Sequence, residues 1–205
     1  MKLGLLGTGN WGKHYVRLLP EYGELIIMDR EIDPIVDCVI IATPAETHFE
    51  YIKKALEADK HILVEKPMVM SLDEALEVKK ILRDKVFMVG HQYIFNDSLP
   101  KIKLKKLEVK MRYPVKNAYW EASPHIFSIL DLLYEGDVEV IIDIKKGKKY
   151  RKFLFNGQEW VDNPTKEPLK VELEHFIDCV KNNKKPLTDI EHSIRVIKLM
   201  EYAKQ

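Results

Sequence analysis

Gly7-Thr8-Gly9-Asn10-Trp11-Gly12 has the G-x-G-x-x-G spacing that suits a backbone closing around a pyrophosphate. The first glycine permits a tight turn, the second lets the main chain approach the phosphates, and the third lets helix and strand pack closely. The pattern alone is weak, but its setting strengthens it. It follows an apolar run at 2–6 and opens a helical run at 11–19, with Asp29 twenty residues beyond Gly9 at the end of the next apolar run. Free N–H groups at the start of that helix would face the phosphates. Asp29 can accept both hydroxyls of an adenine ribose, which favours NAD; Arg30 could instead pair with the 2′-phosphate of NADP. Lys66 offers a second kind of chemistry. It follows an apolar strand and precedes Pro67, which holds its backbone out of the helical region. A lysine at the carboxyl end of a parallel strand faces the crevice where ligands bind and can share protons with a substrate oxygen.

Elements able to position these groups follow from periodicity. Strands are expected at 2–6, 24–28, 37–42, 61–64 and 86–89, alternating with helices at 11–19, 46–58 and from Ser71 to about 83. Ser71 and Glu74 form a capping box. Strands that are apolar throughout and separated by helices belong in a parallel sheet covered on both faces. After residue 98 the pattern changes. Residues 102–113 alternate as a half-solvated strand, 138–144 and 149–155 read as a hairpin around Lys145-Lys146-Gly147-Lys148, and helices are expected at 169–182 and from Thr188, boxed with Glu191, to 203. The expected fold class is therefore α/β: a Rossmann-type sheet domain over 1–97, then a reduced α+β domain over 98–205 whose closing helices can pack back on the first.

Lys plus Arg number 33 and Asp plus Glu 32 in 205 residues, a net charge of +1. That balance argues against nucleic acid or an anionic membrane as the main partner. No apolar run approaches a membrane span. Cys38 and Cys179 make neither a metal-type C-x-x-C nor a disulfide framework, so a reducing cytoplasm is expected. Residues 101–116 are basic (Lys101, Lys103, Lys105, Lys106, Lys110, Arg112 and Lys116 against Glu108), as are 145–152. A solvated sheet face explains this; attraction of a phosphorylated or nucleotide-linked substrate is the alternative. Trp120 and Trp160 read as packing residues.

The chain resembles the Gfo/Idh/MocA family of nicotinamide-dependent oxidoreductases, which act mostly on sugars, inositols and their derivatives. The resemblance rests on the loop 7–13, on Asp37 through Pro44 with His48, on Val64-Glu65-Lys66-Pro67, and on Pro168 through Pro186. Trp11-Gly12-Lys13 and Tyr119 through His125 look most like the branch acting on nucleotide-linked acetamido sugars. The resemblance implies that Lys66 lies beside the nicotinamide and the reacting hydroxyl, and that His125 is the acid/base, since an alcohol oxidised by hydride loss must also lose a proton. Glu121, where the family usually has aspartate, would share a helical face with His125 over 121–134, orienting it or contacting sugar hydroxyls. Pro124 would fall in that helix's first turn, where it is tolerated. Thr43, Pro44, His48, Glu65 and Gln92 join the implied cofactor set, and His91 is a further cleft candidate. No metal is expected.

One departure stands out. Eight residues, Arg30 to Asp37, separate Asp29 from Cys38, too few for the helix, strand and helix of a usual member. The third strand of the first half should be absent and the adenosine more exposed. The region 98–168 is too short for the family's large open sheet. The expected function is hydride transfer between NAD(P) and a secondary hydroxyl or ketone of a sugar or nucleotide sugar. The alternatives are a weak or inactive NAD(H)- or sugar-binding regulator and, third, one subunit of a hetero-oligomer. A homo-oligomer paired through the second sheet is also expected.

Overall fold

The computed structural model describes residues 1–114, 118–134 and 136–203; Lys116 of the basic run lies outside them. Strands β1 (Lys2–Leu6), β2 (Glu24–Met28), β3 (Cys38–Ile41), β4 (His61–Glu65) and β5 (Phe87–Gly90) form a parallel sheet in the order β2-β1-β3-β4-β5. β2 is the edge, as the eight-residue gap implies, and its Ile27 is 58% exposed. Central strands are apolar at every position because both faces are covered. Leu6, Val39, Ile41, Val64 and Val89 meet α2 (His48–Glu57), α3 (Leu72–Ile81) and α6 (Ile190–Tyr202). Leu3, Leu5, Ile40, Leu63 and Met88 meet α1 (Gly12–Leu18) and α5 (Pro168–Asn182). Each fully buried leucine or isoleucine contributes about 1.5–3 kcal/mol.

The Ser71 hydroxyl caps α3 by accepting the Glu74 N–H at 3.2 Å, and the Glu74 carboxylate accepts the N–H of Met70 at 2.9 Å. The expected box at Thr188 and Glu191 does not form. Thr188 Oγ1 donates to the Val89 carbonyl at 2.6 Å, tying the segment to β5, and Asp189 caps α6 by accepting the His192 N–H at 2.9 Å.

A second sheet holds β6 (Lys106–Tyr113), β7 (Glu139–Lys146), β8 (Tyr150–Phe155) and β9 (Gln158–Glu159) in the order β7-β6-β8-β9. The expected hairpin of 138–144 with 149–155 is wrong: β6 lies between them, parallel to β7 and antiparallel to β8. Leu107, Val109 and Met111 of β6 are all buried, whereas β7 is nowhere fully buried. The strand with the most complete apolar stripe takes the centre, and the chain crosses the end of β6, where Gly147 N–H donates to the Tyr113 carbonyl at 2.9 Å. α4 (Ala118–Leu133) covers the inner face with Ala122, Ile126 and Ile129. It begins earlier than expected, so Pro124 stands inside the helix rather than in its first turn, and the Trp120 carbonyl loses its helical donor. The outer face carries the lysines, several paired: Lys106 with Glu108 and Glu139, Arg112 with Asp143, and Lys152 with Glu159.

Candidate active site

Gly7 takes φ +88°, and a Cβ there would lie 2.6 Å from the Ala42 carbonyl oxygen. At Gly12 a Cβ would lie 2.0 Å from the carbonyl oxygen of Gly7. Both positions admit only glycine, and they fold the turn tightly against β3. Nothing lies within 4 Å of a Cβ built on Gly9, so the main chain there is open to a ligand. Leu6 is opposite Met28 in the sheet, which sets Asp29 and Arg30 beside this turn, both exposed.

From Asn10 and Trp11 a cleft of about 790 Å³ runs along the carboxyl ends of β3, β4 and β5 to α4 and β8. Thr43, Pro44, His48, Glu65, Lys66 and Gln92 line it, with Glu121 and His125 opposite. Parallel strands ending at one edge while helices turn away create such a crevice. His48 reaches the cleft wall with Nδ1 2.8 Å from Pro67 O and Nε2 3.0 Å from Thr43 O, so that its neutral ring donates to one of these carbonyls. It pins the Thr43 and Lys66 segments together, and burial lowers its pKa.

Lys66 Nζ donates to Glu121 Oε2 at 2.7 Å and to the Glu121 carbonyl at 3.1 Å. Its side chain is 13% exposed, and two of its three donors are used, leaving one for the cleft. The Glu121 carboxylate therefore serves Lys66 and makes no hydrogen bond to His125, which corrects the expectation that it orients the imidazole. His125 is 6% exposed, its Nδ1 buried without a partner. Burial, then the charges of Lys66 and Lys149, hold its pKa well below the usual imidazole range. A neutral imidazole facing the cleft is a proton acceptor.

Sequence reasoning missed Tyr93 and Tyr113. The Tyr93 ring lies 4.6 Å from that of His125, and its hydroxyl accepts from Arg151. Tyr113 lines the cleft at the end of β6 with its hydroxyl pushed up to about 12, by burial and then by Glu121. Tyr93 stands just past β5, a place that could have marked it; nothing local marks Tyr113. His91 is 2% exposed and lies below the cleft, not in it. Trp160 packs against Tyr93 and Phe153, as expected of a packing residue. Ser128, His192 and Asp131 have Ser-His-Asp connectivity, at 3.0 and 2.7 Å. Ser128 is 1% exposed, no described cleft reaches it, and the set is a strut between α4 and α6.

The sheet order, the glycine turn and the crevice define a Rossmann-type fold. Residues 22–93 match the model of an oxidoreductase family with an NAD-binding Rossmann fold. That matched stretch is similar to the Gfo/Idh/MocA oxidoreductases. Among curated relatives, the 2,7-anhydro-N-acetylneuraminate hydratase of Escherichia coli is 29% identical over 114 residues, 43% of this chain and 31% of that protein. The dTDP-3,4-didehydro-2,6-dideoxy-alpha-D-glucose 3-reductase of Saccharopolyspora spinosa is 37% identical over 62 residues, 30% of this chain and 19% of the reductase. The matched stretch covers only 15% of the E. coli oxidoreductase YhhX. The fold is that of UDP-N-acetylglucosamine 3-dehydrogenase GnnA from Acidithiobacillus ferrooxidans, with TM-score 0.79, 16% identity, and 98% of this chain and 96% of that one covered.

Proposed function

We propose that the chain is an NAD(P)-dependent oxidoreductase moving hydride between nicotinamide and a secondary hydroxyl or ketone of a sugar or nucleotide sugar. The observation that carries this reading is one cleft holding the glycine turn at one end and Lys66, Glu121 and His125 at the other. The open main chain at Gly9 suits a pyrophosphate, and Asn10, Trp11, Thr43, Pro44, His48, Glu65 and Gln92 would line the dinucleotide, with Asp29 on the ribose favouring NAD. Bound there, nicotinamide supplies the two-electron chemistry. The chain handles the proton: Lys66, fixed by Glu121, turns its remaining N–H to the reacting oxygen, and neutral His125 accepts the hydroxyl proton. A cytoplasmic homo-oligomer, paired through the open face of the second sheet, is part of the same reading; sedimentation of the purified chain tests the pairing.

The test is incubation with NAD or NADP and a panel of sugars and nucleotide sugars, reading the absorbance of reduced cofactor. The expected result is turnover on at least one member. Binding of NADH by fluorescence without turnover on any member would instead favour a regulator that senses the cofactor. That second reading draws on β2 lying at the sheet edge with Asp29 and Arg30 exposed, which offers the adenosine less cover.

A further inference from the structure

Two buried carboxyl groups flank Gly90 at the floor of the cleft. Glu172 of α5 is 0% exposed, and neither of its oxygens has a hydrogen-bond partner among the described residues. Glu65, at the end of β4, is the opposite case. It accepts from the Trp11 indole, from the Tyr15 hydroxyl at 2.6 Å and from the Lys66 N–H at 3.3 Å. Gly90 of β5 lies beside both: a Cβ there would be 3.4 Å from an oxygen of each. The nearest cation does not bridge them, because the Lys66 ammonium is turned to Glu121.

An unpartnered carboxylate in a dry site costs several kcal/mol, and a second negative charge beside it adds to that cost (roughly, in any protein interior). One retained proton relieves both. Glu65, with three donors, is the member suited to carry the charge. We propose that Glu172 keeps its proton at neutral pH and donates it to Glu65, and that the resulting singly charged pair is a positioning device. It holds the glycine turn, through Trp11, in register with the Lys66 segment.

The surrounding titratable groups agree with this assignment. Tyr15 faces the pair from α1, its hydroxyl pushed up by burial, then by Glu65 and Glu172. The His91 main chain, beyond β5, favours an ionised Glu172 but is outweighed by burial and by Glu65, and the His91 ring is kept neutral chiefly by burial. Burial, then Glu65, raises the Glu172 carboxyl well above the usual range. Unfolded, Glu172 ionises above about pH 4.3. Folded, it does not, so the wild-type chain loses stability as pH rises from there until the folded group itself ionises. A glutamine, neutral throughout and still able to donate to Glu65, escapes that loss.

The experiment is thermal unfolding of the wild type and Glu172→Gln from pH 4 to 9 without ligand. The variant should melt higher at pH 8, by about 3 °C or more, with the gain vanishing toward pH 4. A lower melting temperature at pH 8 with an unchanged pH slope would overturn the proposal. Should the variant fail to fold, infrared spectra of the wild type decide: a protonated-carboxyl stretch must persist at pH 8, and its absence refutes the pair. The positioning part rests on the cofactor reading above. At pH 7 Glu172→Gln should keep the NADH affinity of the wild type, whereas Glu172→Leu, which cannot donate to Glu65, should lose it several-fold; equal affinity in all three would refute positioning. If none of the three binds NADH, the proposed function fails while the melting comparison still judges the carboxyl pair.

Discussion

The two sheets obey different rules. In the first, β1, β3 and β4 each lead into a helix, and β1, β3, β4 and β5 are buried along most of their length. In the second, β6 is inserted between two strands that follow each other in the chain. Its stripe of Leu107, Val109 and Met111 faces α4, while Glu108, Lys110 and Arg112 face outward. The first sheet is specified by local sequence and tolerates no added volume at Gly7 or Gly12 of its turn. The second is specified by which strand wins the centre, and its rim is loose. The cleft draws on both: Lys66 comes from the end of the first sheet, whereas Glu121 and His125 come from the helix that covers the second.

Glycine substitution should separate the two regions most widely. A Cβ on Gly12 would sit 2.0 Å from a backbone oxygen that cannot swing away. Gly12→Ala should therefore destabilise by more than about 3 kcal/mol, or prevent folding. At Gly147, where the chain crosses β6, the nearest atoms are side-chain carbons of Arg112 at 3.6 Å, an ordinary contact. Gly147→Ala should stay within about 0.5 kcal/mol of wild type in urea unfolding. Equal losses at the two sites would erase the contrast.

The next largest effect lies where the regions meet. Lys66→Ala removes the donor from the first sheet and strands the Glu121 carboxylate of α4. Turnover should fall on the order of a hundredfold, with NADH affinity nearly intact because the glycine turn is untouched. Unchanged turnover would remove Lys66 from the chemistry. His125 gives the companion measurement. Its imidazole is held well below the usual range by burial and by Lys66 and Lys149, so the neutral base persists as pH falls. The acid limb of kcat/KM should lie below the ordinary histidine value of about 6.5.

What could be read from sequence divides along the same line. The apolar runs at 24–28 and 61–64, the glycine turn and the missing strand beyond β2 follow from neighbours along the chain, and the structure has them. Pattern marks 138–144 and 149–155 as strands but carries no sign that β6 comes between them. Helical spacing and the family resemblance set Glu121 to orient His125 or to contact sugar hydroxyls, whereas its hydrogen-bond partner, Lys66, is 55 residues away. Tyr113 and Arg151 reach the cleft only because β6 and β8 pair at its rim, a fact with no local signature.

The start of α6 tests this at the smallest scale. Thr188 and Glu191 have the spacing of a capping box, yet the Thr188 hydroxyl is committed to the Val89 carbonyl, and Asp189 caps the helix while pairing with Lys185 at 2.7 Å. Asp189→Ala should therefore cost about 1 kcal/mol. Glu191, whose carboxylate pairs with the half-exposed Lys79, should cost less than about 0.5 kcal/mol when changed to alanine. A genuine Thr188 box would give the reverse ranking, because the N3 carboxylate would then close the box and Asp189 would be an ordinary first-turn acid. Urea midpoints for the two single variants decide between the local signal and the long-range tie to β5.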